Sequence, residues 1–213
     1  MEIPKFYLEG IDLAKAVIRW TDSAVKRVRW SDEELDKLFA KRSAIEVIAS
    51  GKTSYITPCL DLSLVTSAAL KSNNVDYNLV IEEHKKTANF PFNRLHFVIE
   101  FNDQTGDYFI NYAKLDIVEI AKGPYSSHPN LEQARILRIP GEQIDPDKPI
   151  HKILGLDSLD DLGKFFEGYQ LTPQLERIKK DNNPETYQNY KAICGNDLKI
   201  KQLNACGAGR SLL

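Results

Sequence analysis

Cysteine is scarce in this chain: three in 213 residues, at Cys59, Cys194 and Cys206. So small and odd a number excludes a disulfide framework, and free thiols fit a reducing, cytoplasmic setting. Cys194 and Cys206 show no CxxC spacing and no paired histidines nearby, so no zinc-ligand pattern is present. Long apolar runs are missing as well. Nothing approaches the roughly 20 residues of a membrane-spanning helix. The opening stretch MEIPKFYLEGIDLAK carries Glu2, Lys5 and Glu9 where a signal peptide would be apolar. Charge of one sign is also lacking. The 28 basic and 30 acidic side chains are interspersed, the formal charge is −2, and no basic run offers a nucleic-acid footprint. Internal repeats and low-complexity blocks are absent. The expectation is a protein that binds neither nucleic acid nor membrane and uses no metal or cofactor.

What is present is an ordinary globular balance, 42% hydrophobic and 27% charged, enough to build a real core. Ile11, Ala14, Val17, Ile18, Ala24, Val25 and Val28 recur at helical spacing and predict a helix near 10–28. Ser31 with Glu34 three residues on is a capping-box start, and Leu35, Leu38, Phe39, Ile45 and Ile48 carry a second helix to Gly51. A polar loop, 51–58, ends at Pro58. A third helix starts near Cys59 and stops at Asn73-Asn74. The period then changes to two: Tyr77, Leu79 and Ile81; Leu95, Phe97, Ile99 and Phe101; Tyr108, Ile110 and Tyr112. Asp103–Gly106 reads as the turn of a hairpin. Helices followed by an antiparallel meander is an α+β pattern. We read residues 1–213 as one domain with a core at 30–121. In the extension 122–213, a strand is expected at 117–120 leading into it, a short strand at 134–139, helices at 156–169 and 172–180, and a poorly ordered tail, CGAGRSLL.

One constellation has chemical content. Thiol catalysis needs a stabilised cysteine, an imidazole to move the proton and a polar group to orient that imidazole. Cys59 opens a helix, where backbone N–H groups favour a thiolate. If Asn102 faces Asp107 across the hairpin, paired positions sum to 209, and His96 and Asn111 become diagonal neighbours on one face. That face is the one away from Leu95, Phe97, Ile99 and Phe101. An amide beside one ring nitrogen leaves the other nitrogen for the thiol.

Cysteine on a helix start, histidine on a strand and an amide on the next strand, in the segments TPCLDLSLVTSAALKSNNVDYNLVIEE, RLHFVIEF and DYFINYAK, resemble the transglutaminase-like (papain-like thiol) superfamily. The similarity to arylamine N-acetyltransferases is more distant. The resemblance covers about residues 45–115 and implies N-terminal helices packed on an antiparallel sheet. It implies Cys59 as nucleophile, His96 as general base and acid, and Asn111 as orienter, with acyl transfer through a thioester on a peptide or small amide or ester. Tyr55 is the candidate second oxyanion donor and Asp116 the reserve orienter. The family usually has Asp where this chain has Asn111, and Gly before the nucleophile where it has Thr57-Pro58. These departures define the alternative, a catalytically inactive member serving as a binding or scaffold protein.

Elsewhere Glu82, Glu83 and His84 read as a solvated strand end. Glu100 with Asp116 is an unfixed carboxylate pair, and Trp20, Trp30, Tyr108 and Tyr112 read as core or rim. His128 and His151 have no nameable partner.

Overall fold

The computed structural model describes residues 2–85, 93–112, 117–125, 135–166, 169–194 and 199–203. Asp116, His128, Cys206 and the CGAGRSLL tail lie outside the described residues.

The first helix, α1 (Gly10–Ala24), ends before a short strand β1 (Lys26–Val28). The expected second helix is two helices, α2 (Asp32–Leu38) and α3 (Ala44–Ser50), each opened by its own capping box, Ser31 with Glu34 and Ser43 with Glu46. The second serine–glutamate pair competes with continued helix, and the chain turns between them. Gly51 takes the left-handed conformation (φ 62°) that closes α3. The expected polar loop contains β2 (Lys52–Ser54), which pairs parallel with β1.

Helix α4 (Cys59–Ser72) follows, and every residue from Leu60 to Leu70 is buried. A helix buried all round, with Asp61, Ser63, Thr66 and Ser67 covered along with its apolar residues, must lie between two layers. One layer is α1 with α3. The other is a six-stranded mixed sheet in the order β7-β3-β4-β5-β6-β8. Its strands are β3 (Asp76–His84), β4 (Arg94–Asp103), β5 (Gly106–Asn111), β6 (Ile117–Lys122), β7 (Arg135–Pro140) and β8 (Lys199–Gln202). All neighbours are antiparallel except β6 and β8. The β4–β5 register pairs Asn102 with Asp107 and Val98 with Asn111, the anticipated sum of 209, although the turn itself is tighter because Asp103 also pairs with Gly106.

Side chains alternate across the sheet. Tyr77, Leu79 and Ile81, Leu95, Phe97, Ile99 and Phe101, and Tyr108, Ile110 and Tyr112 join α1, α3 and α4 in the main core. Val80, Val98, Phe109, Ala121 and Tyr125 form a smaller core on the opposite face. Beyond the sheet, the chain adds α5 (Ile150–Ile153), α6 (Leu171–Asp181) and α7 (Pro184–Cys194). The helix expected at 156–169 is a single 3-10 turn at Asp160–Lys164. Neither α7 nor β8 was expected from periodicity.

Candidate functional site

The sheet face opposite α4 gathers the polar side chains. Near one end of β3 and β4, Glu82 pairs across the strands with His96. The Nε2–H of His96 donates to Asn111 Oδ1 at 2.6 Å, and Asn111 Nδ2 donates to Glu119 Oε2 at 3.2 Å. With its nitrogen committed to Glu119, the amide must present its oxygen to the ring. The imidazole is thereby held as the Nε2–H tautomer with Nδ1 as the basic nitrogen. Burial lowers the pKa of His96, against the opposing pull of Asn111 and Glu82, so the ring is neutral at pH 7.

Glu82 and Glu83 are each 1% exposed, which corrects the solvated strand end expected for both. Glu82 Oε2 accepts from the Tyr125 hydroxyl at 2.7 Å and lies 3.3 Å from His84 Nε2. Burial alone would raise the carboxyl; the His84 and Tyr125 hydrogen bonds and the His84 charge outweigh it and hold Glu82 below its ordinary range. The His84 and His96 rings are 6.0 Å apart. At the sheet's other end, Glu100 is gripped by Arg138 through bonds of 2.7 and 3.0 Å and accepts the Tyr125 N–H. Among the described residues, no group of three His, Cys, Asp or Glu side chains could hold a metal ion.

Cys59 is elsewhere. It packs into the main core on the α4 side and lines a cavity of about 40 Å³ with Leu95, Phe97, Leu162 and Tyr169. Leu95 and Phe97 flank His96 in sequence, and alternation turns their side chains toward Cys59 and that of His96 away. The thiol's surroundings are largely apolar, with Thr57 and Gln174 also on the cavity wall, and burial pushes its pKa up to about 11, with backbone groups of Phe97 and Leu60 pulling the other way. This is the reverse of an activated thiolate. The expected trio is therefore divided: His96 and Asn111 come together, and Cys59 lies behind the sheet from both.

Tyr55 does not serve Cys59 either. It is fully buried against Tyr187 and Tyr190, with its hydroxyl donating to the Asp181 carbonyl at 3.3 Å. No family model, curated protein or solved structure matches the chain.

A larger concavity, about 590 Å³, opens at the far end of β3 and β4 from His96. Tyr77, Phe101 and Tyr108 reach it from the core, and Asp76, Asn102 and Asp107 stand on its rim. Ligand sites commonly span roughly 300–1,000 Å³. The sequence signal for the separation was available. The apolar side of α4 has to cover the apolar face of β4, and His96 alternates with that face. Glu82 could have been found from its phase with Val80; nothing in the sequence marked Tyr125.

Proposed function

We propose that this chain is a ligand-binding domain without thiol catalysis, corresponding to the inactive alternative drawn from the transglutaminase-like resemblance. One observation carries the reading: Cys59 faces Leu95 and Phe97 on the helical side of the sheet, while the oriented imidazole of His96 is on the other side. Proton transfer between a thiol and a base requires hydrogen-bond reach. A six-stranded sheet intervenes. The size of the two concavities supports the same reading, since about 40 Å³ beside Cys59 has no room for a peptide or amide substrate, and about 590 Å³ at the strand ends suits a ligand.

The thiol hydrolase or acyltransferase reading keeps two supports, the helix-start position of Cys59 and the Asn111–His96 bond. It would need the two halves on one face. Iodoacetamide labelling across pH, with Cys59 followed by peptide mass spectrometry, separates the readings. The expected midpoint lies near 11, with labelling at neutral pH about two orders of magnitude slower than for a free thiol. Rapid labelling at pH 7, with a midpoint below that of free cysteine, would restore the enzyme.

A further inference from the structure

The groove at the strand ends has a chemical bias. Three carboxylates line it, Asp76, Asp107 and Glu142, and none of them has a cationic partner among the described residues. A fourth, Glu100, is neutralised by Arg138. The single cation on the lining, Lys71, has its ammonium donating to the Ile144 carbonyl. The local balance is thus an excess of negative charge. The wall mixes apolar groups with neutral amides. Phe101 and Tyr108 stack at 5.3 Å, Tyr77, Val75, Pro124, Pro140 and Gly141 line it with them, and Asn74, Asn78 and Asn102 stand among these and the carboxylates.

Carboxylates beside a partly apolar wall match one ligand chemistry, an aliphatic chain bearing ammonium groups. The methylenes lie against the rings and prolines, and the charged ends reach the rim. A dicarboxylate or phosphate would meet repulsion, and a neutral hydrocarbon would leave the carboxylates without a counter-charge. We propose that this groove binds aliphatic di- or triamines, with the ammonium groups held by Asp76, Asp107 and Glu142. The same chemistry is presented by a free diamine or by lysine side chains of a peptide. The assignment rests on the ligand-binding reading above and names its ligand class.

Titration of the intact chain by calorimetry, with NMR shifts mapped onto the backbone, tests it. The probes are 1,4-diaminobutane, spermidine, 1,4-butanediol, succinate and an acetylated tetralysine. The expected result is saturable binding of the amines with shifts confined to 74–78, 100–108 and 140–142, weakening as salt rises. Asp76→Asn with Glu142→Gln, both exposed positions, should weaken amine binding about tenfold with unchanged thermal stability. Binding of tetralysine without the small amines assigns the site to peptide lysines. Equal binding of butanediol, preference for succinate, or no amine binding at millimolar concentration overturns the assignment. These outcomes are independent of Cys59. An inert thiol with no amine binding removes the ligand class alone, and a fast-labelling Cys59 removes the inactive reading alone.

Discussion

The imidazole of His96 and the amide of Asn111 meet at 2.6 Å on the side of the sheet that α4 does not touch. That pairing lies on the sheet face away from Cys59, and the polar chain continues to Glu119. Its consequences are for stability and titration.

Acid should weaken the fold through His96. Its folded-state pKa is lowered, so the unfolded chain takes up the proton first. The stability contributed by the neutral ring is complete above about 6.5 and is lost as pH falls toward the folded value. Urea midpoints measured from pH 7.5 down to 5 should decline, and His96→Phe should flatten that slope. Asn111→Leu strips the buried Nε2–H of its acceptor and should cost about 1–3 kcal/mol at pH 7.

Moving the imidazole by one residue should do what His96 does not. Phe97→His puts a ring on the Cys59 side, and an imidazolium there would favour the thiolate, drawing the alkylation midpoint down from about 11. His96→Ala should leave that midpoint unchanged. A shift in the His96→Ala variant would mean that the two groups communicate after all.

Face assignment was the part of the site the sequence left to be weighed wrongly. The hairpin register, the cap of α2 and the stop of α4 at Asn73 were legible because each depends on residues close in sequence. The register that pairs Val98 with Asn111 follows from one short turn. The position of Cys59 depends on how α4 lies across β3 and β4, a packing decision made by Leu60, Leu64, Leu95 and Phe97 together. Strand β8 was illegible for a related reason. Lys199–Gln202 is four residues with only Ile200 apolar, and it becomes a strand by borrowing the edge of β6.

Arg42 and Asp61 form a buried ion pair, their side chains 7% and 8% exposed, with Thr53 also donating to Asp61 and the guanidinium over the Trp30 ring at 4.7 Å. Arg42→Met should destabilise by about 3–5 kcal/mol, since it strands the carboxylate. Arg42→Met combined with Asp61→Leu should recover much of that loss. Chemical denaturation of the single and double variants reads both.

Gly141 closes the groove over Tyr77, and an added Cβ would stand 2.5 Å from that ring. Gly141→Ala should cost about 1–3 kcal/mol by forcing the two apart, seen in the thermal midpoint. It should also change the near-ultraviolet signal as the Tyr77 ring shifts.

Strand order has a bearing on synthesis. Strands β3 to β6 are consecutive hairpins and can assemble as soon as residue 122 is made, but their two outer neighbours, β7 and β8, come later in the chain. Until those arrive, the nascent meander exposes a row of unpaired backbone groups along each border, the condition that invites strands of other molecules to add on. In the full chain the borders pass to β7 and β8, and β8 carries Lys199 and Lys201, charges that blunt the edge it presents. A fragment ending at Lys122 would lack those late residues and would be the stickier species.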